Sequence, residues 1–427
     1  MADTVKATPR SKTVKPQLTR AQLPIPGKDD PLHIARARNE ALRSYDAMDV
    51  PTHVGHVWKR TSAGGFIPDI GSVASRDSLM VSRATGEHNS VQFLAGSDLF
   101  VTLNDEAQQK GVEVLALTDS PAIIGKVVAP DRGFFEAMNQ TLWTTGLYLR
   151  IPAGVQLESP INLGIVTHCS HPFVRLSILL EPGASATLVE HVTSSSTTGR
   201  TVMVSEVSLG NGASLNHALI FSTSEADTLH YSHGCALENG AGLNMLATST
   251  GSGRVKADLS GELIGERAHS EIRTFGVLQD KTALDFHTRQ HHVAPRTLSD
   301  MKSRSVLLDR ANATHTGLIR IEEAARDSEA YQISRNLMLS KTAQATAIPE
   351  LEIENNDVMC SHGAATGTLD AMQMFYLQSR GLSKGAATRL IVEGQLDEML
   401  QGQPEHIREL LWNAHADVLA RLETREE

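Results

Sequence analysis

Cys360-Ser361-His362-Gly363 is the most compact run of chemically useful side chains in the sequence. A thiol and an imidazole suit iron, zinc or copper better than magnesium or calcium. Cys360 and His362 are two positions apart, so on an extended strand both would leave the same face. His362 is therefore a candidate metal ligand, with Cys360 beside it. The competing reading is a buried cysteine next to a hydrogen-bonded histidine at a strand end, and spacing alone favours that one.

The other constellations carry less. The chain holds 18 histidines. His287, His291 and His292 have helical spacing but lie in β-type sequence; His230 and His233, like His168 and His171, are three apart and face opposite sides of an ideal strand. No His-Glu-x-x-His motif or paired-cysteine zinc spacing occurs, so solvated corners or satisfied side chains account best for these residues. There is no phosphate-binding Gly-x-x-x-x-Gly-Lys-[Ser/Thr] loop, Gly251-Ser252-Gly253-Arg254 being too short, and no Gly-x-Ser-x-Gly elbow. Carboxylates are plentiful, but their spacing singles out no acid/base pair. The chain is not expected to be an enzyme.

The elements that position Cys360 and His362 come from a long β-type region. Residues 1–30 are basic, Pro-rich and aperiodic and read as a disordered tail, with a transit peptide as the alternative. Residues 31–146 read as a helical and mixed region: an imperfect helical stripe follows Pro31, Val91-Gln92-Phe93-Leu94 and Val112 to Leu117 read as strands, and Asp131 to Thr141 as a short helix. From 147 to 366, short alternating strands are broken by a recurring unit: Pro182-Gly183-Ala184-Ser185, Asn211-Gly212-Ala213-Ser214 and Asn239-Gly240-Ala241-Gly242. Its glycines are 29 and 28 residues apart, with echoes at Arg267-Ala268-His269-Ser270 and Asn312-Ala313-Thr314-His315. Fixed-period self-similarity on β-type sequence marks a solenoid, with glycine supplying a tight corner. A mainly β parallel β-helix is expected, in preference to a sandwich or barrel of hairpins. Residues 367–427 read as a helical domain, with helices capped at Thr368 or Asp370 and at Ser383 and a third begun by Pro404.

Composition bounds the function. At 427 residues and 4% aromatics, the chain suits thin-cored stacking better than a large aromatic core. A net charge of −10 with interleaved signs disfavours nucleic-acid binding. No apolar run approaches the roughly 18 residues of a membrane span, and no secretory signal is visible. Three scattered cysteines, Cys169, Cys235 and Cys360, argue against a disulfide framework and for a reducing compartment. A soluble cytoplasmic protein is expected.

Four segments together carry a family resemblance: Asn336-Leu337-Met338-Leu339-Ser340, Pro349-Glu350-Leu351-Glu352-Ile353, Cys360-Ser361-His362-Gly363-Ala364 and Phe375 to Gly381. In order and spacing they resemble SufD, a subunit of the SUF iron–sulfur cluster assembly complex. Trp58-Lys59-Arg60-Thr61 resembles the family's Trp-Lys-Tyr-Thr element, with Arg60 in place of the aromatic, and Gln395 stands where relatives usually carry an aromatic. The resemblance implies a right-handed parallel β-helix and a non-catalytic scaffold that pairs with its sister SufB. It also implies contact with the ABC-type ATPase SufC through about 367–427, a role in iron acquisition, and possible homodimerisation of the isolated chain. His362 would lie near the SufB contact and help to build the nascent cluster, Cys360 having the weaker claim. The Ser361-His362-Gly363 version of this element departs from SufB and favours SufD. A reduced flavin is associated with the assembled complex, but no residue here identifies its site. Three thiols fall short of the roughly four that enclose a cluster, so a cluster here would be transient and share ligands with SufB. The alternative from pattern alone is a β-helix enzyme acting on polysaccharide, which the scarcity of aromatics and of a signal disfavours.

Overall fold

The computed structural model describes residues 15–18, 31–52, 56–72, 81–122, 124–194 and 199–424. The stretch expected to form a tail thus lies outside the described residues except at 15–18. There, Lys15 Nζ donates to the Tyr45 carbonyl (2.7 Å) at the end of helix α1 (Leu32–Ala47).

Past α1, short elements lead into the coil: β1 (Val81–Thr85), β2 (Asn89–Leu94), β3 (Leu99–Leu103), α2 (Asp105–Gln109), β4 (Glu113–Ala116) and α3 (Phe134–Leu142). The coil begins with β5 (Thr145–Ile151), β6 (Ile161–Thr167), β7 (Phe173–Leu180), β8 (Ser185–Ser194) and β9 (Arg200–Leu209). It continues through β10 (Ser214–Ser222), β11 (Thr228–Leu237), β12 (Gly242–Ser249), β13 (Arg254–Leu263), β14 (His269–Leu278) and β15 (Ala283–His292). It closes with β16 (Leu298–Leu307), β17 (Asn312–Ile321), β18 (Ser328–Met338), β19 (Gln344–Ile353) and β20 (Val358–Gly367). Helices α4 (Ala371–Ser379), α5 (Lys384–Leu400) and α6 (Glu405–Thr424) follow.

Alternate coil strands belong to alternate sheets. Among the described residues, sheet A has 11 strands in the order β1-β3-β2-β6-β8-β10-β12-β14-β16-β18-β20, and sheet B has nine, β19-β17-β15-β13-β11-β9-β7-β5-β4. Coil strands pair in parallel, residue over residue: Leu215 over Leu243, and Leu243 over Ser270. This is the β-solenoid expected from the repeat. Residues pointing into its lumen, such as Ile161, Leu163 and Ile165, form one long aliphatic core. On the outer face of sheet A, α5 and α6 bury Val392, Leu396, Leu411 and Leu419 against Ile220, Leu246 and Phe275. On the outer face of sheet B, the region from α1 to α3 packs Trp58, Phe135 and Trp143 against Tyr148, Phe173 and Val202.

The repeated glycines form one corner. Gly154, Gly183, Gly212 and Gly240 have φ between 65° and 70°, the left-handed region that glycine enters without Cβ strain. Each donates its backbone N–H to the next coil: Gly183 to Asn211 O (2.9 Å), Gly212 to Asn239 O (2.8 Å) and Gly240 to Glu266 O (2.9 Å). The ladder continues through Arg267, Arg296 and Asp327, which hold φ of 61°, 57° and 57° without being glycine. The first sequence echo, at Arg267, is therefore a true member of this corner. The second, at Asn312, is not. It opens β17 in sheet B, after a different corner at Asp309, so its likeness reflects the same turn chemistry on the opposite edge.

Two glycines separate the demands of this stacking. A Cβ at Gly212 meets nothing within 4 Å, so Gly212→Ala adds backbone strain alone, about 1–2 kcal/mol. At Gly265 a Cβ would lie 2.0 Å from Asn239 N in the neighbouring coil, so Gly265→Ala must displace a corner. Urea melts are expected to show a larger loss for Gly265→Ala. Equal losses would contradict coil-on-coil contact as the constraint.

Candidate functional site

β19 and β20 are the last strands of their sheets, each with one paired neighbour and, among the described residues, one unpaired edge. Cys360 lies opposite Ala330 of β18 and is half-buried against the lumenal core. Burial raises its thiol above the ordinary value, with a hydrogen bond to the Ala330 backbone acting in the opposite sense. His362 lies opposite Gln332 and is exposed. With its amide nitrogen facing Gly317, Gln332 donates to Gly317 O (3.0 Å) and accepts from Glu350 N (3.3 Å), joining the two sheets across the lumen beside His362. The same end exposes Leu351, Ile353 and Met359. The strand thus puts the two predicted residues on one face: a protonated, partly covered thiol and an accessible imidazole. Neither belongs to the one group of three potential metal ligands found among the described residues.

That group is Glu136, His230 and Asp258, all buried beneath the α1–α3 cover of sheet B. His230 packs in an aromatic cluster, stacked on Phe135 at 4.3 Å and on Trp58 at 5.6 Å between centroids, with those two rings 5.1 Å from each other. Its Nε2 lies 3.4 Å from Asp258 Oδ2. Asp258 Oδ1 faces Lys256 Nζ (3.5 Å) and His287 Nδ1 (3.2 Å). Burial alone would raise the Asp258 carboxyl, but Lys256 and the two imidazoles hold it well below the usual range. Lys256 also reaches Asp285 Oδ1 (3.4 Å), whose other oxygen accepts from Thr61. The Trp58-to-Thr61 element therefore roofs this network.

A second buried polar group lies inside the lumen. Tyr231 donates to Glu190 Oε1 (2.8 Å), and His217 Nε2 lies 3.5 Å from Glu190 Oε2. Neither ring nitrogen of His217 or His233 has a hydrogen-bond partner. The expectation that the histidines are solvated corners or satisfied side chains fails for His230, His217 and His233. They sit mid-strand and fully buried, because the cover hides the outer face of sheet B and the coil hides its own lumen. His230 and His233 do face opposite ways, as their spacing requires. The expectation holds at His292, which lies between Thr297 Oγ1 (2.7 Å) and Ser299 Oγ (2.8 Å). The signal missed in the sequence was the run of charged residues at outward positions of sheet B, Lys256, Asp258 and Asp285, legible only once a covering segment is known.

A β-solenoid whose chemically equipped face is an unpaired strand edge is the class that this fold and site define. Residues 166–395 match the family described as SUF system FeS cluster assembly, SufBD core domain, and the chain belongs to that family. It is 27% identical to the iron–sulfur cluster assembly protein SufD of Bacillus subtilis over 71% of this chain and 73% of the relative. Against SufD of Escherichia coli it is 24% identical over 80% of this chain and 83% of the relative. It is also similar to SufB of B. subtilis, at 24% identity over 65% of this chain and 61% of the relative. These relatives are named as assembly proteins. Among the described residues, no helix is long and apolar enough to cross a membrane.

Buried neutral histidines give the fold an acid limit. Burial pushes His292 down to about 4 and His315 down to about 3. A folded pKa below the unfolded value of about 6.5 means that the stabilisation is complete above that pH and is lost as pH falls toward the folded value. For His292 alone the loss is about 3 kcal/mol. Melting temperature is expected to fall steeply below pH about 6, and His292→Gln is expected to flatten that slope.

Proposed function

We propose that this chain is a non-catalytic scaffold subunit of the SUF complex, working at the open end of its solenoid. The carrying observation is the exposed His362 on the unpaired terminal strand, beside a half-buried Cys360, in a chain of the SufBD family. An open strand edge carries unsatisfied N–H and C=O groups and exposed apolar side chains, which a second solenoid can cover. A SufB-type sister is the partner that this reading names. The growing iron–sulfur cluster, and the iron acquired for it, are cargo at that junction. A neutral imidazole can ligate iron, and an imidazolium can donate to cluster sulfide, so His362 supplies a ligand where thiols are few. Cys360, with its thiol raised by burial, serves mainly as a small apolar contact.

The same reading assigns ATPase contact to the C-terminal helices, and specifically to α4. Deleting 367–427 would strip sheet A of its cover, because α5 and α6 bury its outer face. α4 differs: Met372, Phe375 and Tyr376 are 75%, 67% and 56% exposed. A Phe375→Ala/Tyr376→Ala variant is expected to weaken SufC binding at least tenfold, about 1.4 kcal/mol, with an unchanged melting temperature. Undiminished co-purification would remove α4 from the contact.

For the cluster role, His362→Ala is expected to leave folding and SufB association intact while bound iron and sulfide fall several-fold. Cys360→Ala should have a smaller effect. Normal cluster content in the His362→Ala complex would end the claim. A lowered melting temperature with proportional loss of complex would make His362 a structural residue instead.

A further inference from the structure

We propose that Glu136, His230 and Asp258 form a binding site for one divalent first-row transition ion, buried between α3 and sheet B and separate from the open end of the solenoid. Candidate ligand atoms of all three residues lie within 4.8 Å of one another. An ion with bonds of about 2.0–2.2 Å would draw them to about 3–3.5 Å apart. That is a small movement for a carboxylate on a helix facing two residues on strands. One imidazole with two carboxylates is a donor set for Fe(II), Mn(II), Co(II) or Zn(II), too hard for Cu(I) and too nitrogen-rich for Ca(II).

Orientation and charge support the assignment. The rings of Trp58 and Phe135 stack on His230 at interplanar angles of 11° and 17°, which fixes the imidazole before any ion arrives. The division of labour at Asp258 leaves Oδ2 facing His230, since Oδ1 takes Lys256 and His287. Glu136 accepts a hydrogen bond from Ser232, which holds its carboxylate in place as the outer partners of metal ligands do. Charge within the network is unbalanced. Three carboxylates, Glu136, Asp258 and Asp285, lie near two permanent cations, Lys256 and the buried Arg132, with the paired Arg289 and Glu262 alongside. An uncompensated buried negative charge is costly, and a bound cation offsets it. One polar atom at the site lacks a partner: His230 Nδ1 is buried and makes no hydrogen bond. The competing account is a proton on His230 or His287 in place of the ion.

Because Glu136 comes from the cover and the other two ligands from coil strands, an ion here ties one to the other and raises stability. The test uses the full chain, stripped with chelator and titrated with Co(II). One equivalent per chain is expected, with ligand-field absorption in the visible and a higher melting temperature. Glu136→Gln, which keeps an acceptor for Ser232, and His230→Gln are each expected to weaken Co(II) binding at least tenfold. His362→Ala is expected to leave it unchanged. A folded wild-type chain that takes up no stoichiometric Co(II) would overturn the proposal and leave the proton account. So would undiminished binding by Glu136→Gln and His230→Gln, or loss of binding in His362→Ala. Failure here leaves the reading of the open end untouched, since that rests on cluster content in the complex.

Discussion

The whole molecule depends on a corner hydrogen bond repeated once per coil. The left-handed residue of each turn donates its N–H to a carbonyl of the next coil, which keeps successive strands in residue-for-residue register. Register in turn decides which side chains enter the lumen. A slip by one residue would exchange the aliphatic lining for the polar outer positions. Four coils meet this demand with glycine, and three with Arg267, Arg296 and Asp327, where L-residues carry the strain. The stack thus tolerates local cost at the corner because each coil is held by full-length ladders on both sides.

The two outer faces are covered by different physics. Sheet A meets α5 and α6 through aliphatic contact. Sheet B meets a cover fastened by buried charge as well as by aromatic packing. Arg175 donates to Glu206 (2.5 Å), to Asn139 Oδ1 (3.1 Å) and to Val128 O (3.2 Å). Glu206 also accepts from Gly125 N, Val127 N and Val128 N. Such a pair is worth little against an apolar replacement, but losing one partner costs about 3–5 kcal/mol. Its specificity lies in direction: a loop with three amides in that geometry seats in one place only. The same preference for paired charge extends to Lys256, Asp258 and Asp285, further along the sheet.

Much of this was legible in residue order. Gly183, Gly212 and Gly240 disclosed the period, since only glycine enters that backbone region at no cost, and the caps at Asp370 and Ser383 accept from Gln373 N and Ala386 N, as capping chemistry predicts. Arg267, Arg296 and Asp327 concealed the later corners, because nothing in an arginine or aspartate announces a positive φ. Cys360 and His362 were visible through their spacing and through the company of neighbouring motifs. Glu136 and Asp258 were not, being 122 residues apart and joined only by the packing of a helix on a sheet. A side chain pointing outward from a solenoid strand reads as solvated until its covering segment is placed.

The two ends of the coil differ in kind. At the first, β4 runs antiparallel to β5, β3 antiparallel to β2, and α2 sets Ala107 into the lumenal core. The flanking strands β1 and β4 are only five and four residues long. At the last, β19 and β20 present ten-residue edges. A solenoid adhesive at both ends would polymerise, each copy templating the next. Among the described residues the long open edges lie at one end of the coil alone, so a stack built end to end would find no matching ten-residue edge on which to grow.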